Sequence, residues 1–126
     1  VSTHLKKHPD WSLEYKVAKP SEEILERLVF RSKKDPEVWL MADAYAGSHI
    51  KKCTEDFCNF AAGLFPFPVV WEEGALVAGG QANLLFYMGH NGLMDFSLSE
   101  LPIIESSQKR FGRNAAIFAC QSKAYF

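Results

Sequence analysis

Three residues of reactive type each stand directly behind a dense apolar run: Asp43 after "VWLMA", His90 after "LLFYMG" and Cys120 after "AAIFA". A cysteine sulfur becomes a strong nucleophile as its thiolate, an imidazole can take up and return the proton, and a carboxylate can orient the imidazole. Taken singly, each has a plainer role. Cys120 would be a small core residue, His90 a loop residue bonded to backbone, and Asp43 the cap of a turn. The conjunction of His90 and Cys120 at corresponding ends of two separate apolar runs favours the chemical reading, which is nucleophilic attack by a thiol.

Such a pair works only if the fold brings the two run ends together. In an open parallel sheet the carboxyl ends of the strands form one rim, and reactive groups gather there. The segment "WSLEYKVA" alternates apolar Trp11, Leu13, Tyr15 and Val17 with polar residues, as a strand with one wet face does. "SEEILERLVFRSKK" places Ile24, Leu25, Leu28 and Val29 at helical spacing, with acids first and bases last, and reads as a helix. "VWLMADAYAGS" reads as a strand apolar on both faces and so central in its sheet.

Ser48 then caps a second helix, with Ile50, Cys53, Phe57, Phe60, Ala61 and Leu64 on one stripe and Gly63 and Pro66 at its end. "PVVWEEGALVAGG" fits a strand, a turn at Glu73-Gly74 and a second short strand. "NLLFYMG" and "NAAIFACQS" are further two-faced strands. Between them "FSLSELPIIESSQKRFG" offers a helix capped by Ser97 or Ser99, delayed by Pro102 and stopped by Gly112. This order predicts an α/β fold, a mostly parallel sheet flanked by helices, in one domain over 1–126. Residues 1–36 form its first strand and helix, and 37–126 its sheet core and candidate site.

Composition narrows the function classes. A formal net charge of −1 gives nucleic acid and anionic membrane no electrostatic attraction, and the basic clusters "RSKK" and "HLKKH" read as solvated surface. The longest apolar stretch, "FAAGLFPFPVVW", is interrupted by Pro66 and Pro68 and is too short to span a bilayer. Three cysteines make an odd count, and Cys53 and Cys58 in "KCTEDFC" have neither redox-pair nor zinc-knuckle spacing, which favours a reducing, cytoplasmic setting. His49 and Cys53 lie four apart but find no convincing further ligands, so no metal is expected. The glycine turns "AGSH" and "VAGGQ" lack the phosphate-loop lysine and the dinucleotide fingerprint, so no cofactor is expected either.

The paired motifs "LLFYMGHNG" and "AIFACQS" resemble the signature of the caspase and legumain class of cysteine peptidases, over roughly residues 37 to 126. In that class one apolar strand ends in a His near Gly and a later one in Ala-Cys. The resemblance implies a caspase-haemoglobinase-like three-layer fold and a Cys120/His90 dyad acting on a peptide or protein substrate. It implies an orienting role for Asp43 and an oxyanion-binding amide at Asn91 or Gly92, the choice left open because Asn91 is inserted between the usual His and Gly. Gly92, without a side chain, would let a substrate carbonyl approach the backbone. The class has further pocket-building strands after the Cys, so the resemblance implies a fragment of a longer protein with a C-terminal continuation, a minimal or degenerate member, or a homodimer that covers the open edge. The alternative reading is a non-catalytic α/β domain for interaction or oligomerisation.

Overall fold

The computed structural model describes residues 2–99 and 113–126, in two compact units, Val1–His49 and Ile50–Phe126. The first unit opens with a short helix, α1 (Ser2–Lys7), that packs on strand β1 (Trp11–Ala18). Strands β2 (Ile24–Ser32) and β3 (Trp39–Tyr45) complete a three-stranded sheet in the order β1-β2-β3. Both pairings are antiparallel, and each has one irregularity in register, between Leu13 and Tyr15 and between Ile24 and Glu26.

The helix expected over "SEEILERLVFRSKK" is therefore a strand, and the central one. Leu28, Val29 and Phe30 are consecutive and all essentially sealed from solvent. A helix with one apolar stripe cannot bury three residues in a row on one side, whereas a strand covered on both faces can. The connections reinforce the outcome. Residues 19–23 and 33–38 are too short for the crossover that parallel neighbours need. In the second connection the Ser32 hydroxyl oxygen accepts the backbone N–H groups of Lys34 and Asp35, and Ser32 N–H donates to the Val38 carbonyl, which closes the turn locally. Among the described residues β3, expected at the centre of a sheet, pairs only with β2, and none of its residues is fully buried.

The second unit starts with helix α2 (Ile50–Ala61). Thr54 and Phe57 form its buried face, while Lys51 with Glu55 and Lys52 with Asp56 make i,i+4 pairs on the outside. The helix ends where Gly63 takes a left-handed φ of 85°, a conformation that favours glycine. Strands β4 (Phe67–Trp71) and β5 (Gly74–Ala78) form the expected hairpin, but its turn is at Glu72 and Glu73, one residue before the expected Glu73-Gly74, and Gly74 pairs with Trp71 as the first residue of β5. Strands β6 (Leu84–Met88) and β7 (Asn114–Phe118) pair in parallel, and α2 packs against β6. A last turn of helix, α3 (Ser122–Tyr125), follows β7.

The expected α/β fold, a mostly parallel sheet flanked by helices in a caspase-haemoglobinase-like three-layer arrangement, is thus corrected. Among the described residues the sheets are small, of three, two and two strands, and β6–β7 is the one parallel pair. The physical reason is the loss of the first crossover helix, which turns strand-helix-strand into an antiparallel meander. The helix expected between Ser97 and Gly112 falls largely on residues 100–112, outside the described residues. No described helix is long and apolar enough to cross a membrane.

Candidate functional site

The parallel pairing of β6 with β7 runs in register from Leu84 opposite Asn114 to Met88 opposite Phe118. His90 follows Met88 by two residues and Cys120 follows Phe118 by two, so both leave the same end of one hydrogen-bonded strand pair. The ladder extends one step further, because Gly89 N–H donates to the Phe118 carbonyl at 3.2 Å. Gly89 does so with φ of 147°, which L side chains rarely adopt, so the strand can leave the sheet sharply before His90.

Asn91 joins the two strand ends. Its side chain is fully buried, and its Nδ2 donates to the Cys120 carbonyl at 2.8 Å while its Oδ1 accepts the Leu93 N–H at 3.2 Å. A buried amide with both ends engaged escapes the desolvation cost that an unpaired one would carry, about 1–3 kcal/mol. The residue that the motif comparison left unexplained therefore has a structural task. It caps the 3-10 turn over Gly92–Met94 and ties the His90 turn to the backbone of Cys120.

Tyr87 holds the His90 backbone, and Thr54 contacts Tyr87 in turn. Tyr87, 4% exposed, donates its hydroxyl to the His90 carbonyl at 2.8 Å and lies 3.3 Å from the Thr54 hydroxyl, which in turn donates to the Ile50 carbonyl. The two hydroxyls carry two protons for three contacts, and with both donated to the carbonyls the Tyr87–Thr54 contact has none of its own. The Tyr87 ring packs edge-on against Phe57, and Phe126 packs against both, at centroid separations of 5.5–6.2 Å. This cluster joins α2, β6 and the segment just past Cys120.

His90 itself is exposed, and its Nε2 is hydrogen-bonded to Oδ2 of Asp95. Cys120 is exposed as well, whereas Cys53 and Cys58 are half-buried, and none of the three is in a disulfide. Burial pushes the Cys58 thiol up from its ordinary value, which disfavours its thiolate. After Cys120, Gln121 takes a left-handed φ of 51° and α3 begins, so the thiol stands at a sharp turn from strand to helix.

Gly92 is buried, and a Cβ there would lie 2.7 Å from the Phe96 ring and 3.1 Å from Ile50. Packing alone accounts for glycine at that position. Asp43 belongs to the first unit, where its two oxygens accept from Nε and Nη2 of Arg27, each at 2.7 Å. That pairing raises the Arg27 guanidinium above its ordinary value.

Of the residues named from sequence, the structure joins His90, Asn91 and Gly92 to Cys120 through one strand pair and one buried amide. Asp95, Tyr87 and Thr54 escaped the sequence reading. Asp95 and Tyr87 lie within the same stretch, "YMGHNGLMD", but only a folded turn brings Asp95 back to the imidazole. Among the described residues no three of His, Cys, Asp and Glu gather in a way that could hold a metal ion. Comparisons with family models, curated proteins and solved structures find no match to this chain.

Proposed function

We propose that the second unit carries a cysteine-hydrolase site in which Cys120 is the nucleophile and His90 the general acid and base. The observation that carries this reading is the parallel pairing of β6 and β7, with His90 and Cys120 two residues past the matched pair Met88 and Phe118. The buried Asn91 bridge supports it, since it couples the backbone positions of the two reactive residues. The reading rests on this local geometry and on the two motifs, and it does not require the layered parallel sheet.

The reaction would be acyl transfer on a peptide bond. His90 takes the thiol proton, the Cys120 sulfur bonds to the scissile carbonyl carbon, and the carbonyl electrons move to oxygen. The tetrahedral intermediate collapses as the C–N bond breaks and His90 returns the proton to the leaving amine. Water, deprotonated by His90, then cleaves the thioester and releases the thiol. Backbone N–H groups near Asn91, Gly92 and Cys120 are the candidates for holding the oxyanion.

A thiol probe such as iodoacetamide or a peptidyl chloromethyl ketone tests the dyad. Exposure alone favours labelling of Cys120 over Cys53 and Cys58, so the deciding comparison is between the intact protein and His90→Ala. Loss of His90 should slow Cys120 labelling by about tenfold or more near neutral pH, because the thiolate loses its partner. An unchanged rate would remove the basis for the proposal.

A second reading, an interaction or oligomerisation domain, draws on one observation. Leu84, Phe86, Met88 and Phe118 are all about half exposed, with the Phe86 and Phe118 rings stacked 6.1 Å apart, so β6 and β7 present an apolar face. Sedimentation of the intact chain and of Phe86→Ser separates the two. A dimer dissolved by that substitution, with His90-independent thiol labelling, favours the second reading.

A further inference from the structure

We propose that Asp95 is the positioning residue for His90 and that the imidazole uses Nδ1, not Nε2, to take the Cys120 proton. The inference rests on the dyad reading above and specifies how its base is held. Its first support is the hydrogen bond between His90 Nε2 and Asp95 Oδ2. An ionised carboxylate only accepts, so the imidazole must donate from Nε2. In the neutral ring the lone pair then lies on Nδ1, which is the one ring nitrogen left to act as a base.

The second support is the way the chain delivers Asp95. The turn Gly92–Met94 is capped at its start by the Asn91 side chain and closed at its end by Asp95 N–H donating to the Gly92 carbonyl at 2.9 Å. Phe96 N–H donates to the same carbonyl at 3.1 Å. The carboxylate is thus held five residues after the imidazole by a turn whose capping residue, Asn91, donates to the Cys120 carbonyl. Asp95, the turn and the Cys120 backbone form one connected unit.

When Nδ1 accepts the thiol proton, His90 becomes an imidazolium facing the Asp95 carboxylate across Nε2–H, and the thiolate–imidazolium form gains an attractive partner. Both side chains are more than half exposed, so water screens the gain and the effect is modest. No bond to carbon forms or breaks at Asp95.

The test is a double-mutant cycle read by iodoacetamide alkylation of Cys120 in the full chain near neutral pH. Asp95→Ala should slow alkylation about two- to fivefold, and Asp95→Asn, which keeps an acceptor but not the charge, should lie between. In a His90→Ala background, Asp95→Ala should change nothing further. A carboxylate that only supports the turn would slow labelling equally with or without His90, and that outcome overturns the inference while leaving the dyad standing. So does a full rate in Asp95→Ala beside a slow one in His90→Ala. Full labelling in His90→Ala overturns both the dyad and this refinement. Unchanged far-ultraviolet circular dichroism and denaturation midpoints accompany each variant as evidence that the fold is retained.

Discussion

Each unit holds a carboxylate with a nitrogen partner, and the two pairs differ in almost every respect. Asp43 on β3 stands opposite Arg27 on β2, with both oxygens on its guanidinium and both side chains largely shielded. Asp95 closes a surface turn, with one oxygen on one nitrogen of an exposed imidazole. The surroundings follow the same division. In the first unit Leu28, Val29 and Phe30 on β2 are at most 1% exposed, whereas in the second Phe86 and Phe118 on β6 and β7 are more than half exposed. Where the sheet interior is sealed, polar groups are consumed in holding strands together. Where it stays half open, polar groups collect past the strand ends and leave the His90 imidazole exposed.

The sharpest way to break this contrast is to truncate one ring in each sheet. Phe30→Ala should cost about 4 kcal/mol of unfolding free energy, while Phe118→Ala should cost under about 1 kcal/mol. Urea denaturation of the full chain measures both, and equal losses would mean that the β6–β7 face is covered in solution. Next in size, Arg27→Ala leaves the Asp43 carboxylate shielded without its partner and should cost about 3 kcal/mol. The folded Arg27→Ala protein should keep its Cys120 alkylation rate. A slowed rate would give Asp43 a part in the reactive site after all.

Asn91→Ala should cost about 2 kcal/mol, since it strips the Cys120 carbonyl and the Leu93 N–H of a buried partner. It should also slow Cys120 labelling, because the two strand ends lose their link. The smallest effect is electrostatic. A hydrogen bond from Lys16 holds the Glu26 carboxyl below its ordinary range, and Lys34 does the same for Asp10. A depressed folded-state value contributes stability that is complete above the unfolded carboxylate range and lost as pH falls through the folded value. Urea midpoints should therefore decline on acidification, and Lys16→Ala should flatten part of that decline.

Several elements were legible in the residues. The alternation of Trp11, Leu13, Tyr15 and Val17 marked β1, Gly63 marked the end of α2, and Glu73-Gly74 marked the hairpin to within one residue. The apolar runs before His90 and Cys120 marked β6 and β7. Residues 24–32 were not legible, because Glu22 and Glu23 before the apolar residues and Lys33 and Lys34 after them mimic a helix dipole pattern. The deciding fact, neighbours on both edges and cover on both faces of Leu28, Val29 and Phe30, is tertiary. The mostly parallel layered architecture fell with that one segment.

At the site, the residue types and strand ends drew attention to His90 and Cys120, but not to how they are held. Asn91 was an oddity between His and Gly until its amide was seen on the Cys120 carbonyl. Asp43 was the obvious acid because it ends an apolar run as His90 does. Asp95 was passed over because nothing in a linear spacing of five marks a turn that folds back on itself.

The measurement that bears most directly on a His90-supported thiol is the pH profile of Cys120 alkylation in the intact chain and in His90→Ala. The dyad requires labelling that stays fast below the ordinary thiol range in the intact chain, and a profile displaced toward an ordinary thiol in His90→Ala. Superimposable profiles for the two proteins would contradict it and leave Cys120 as an exposed thiol at the end of a strand.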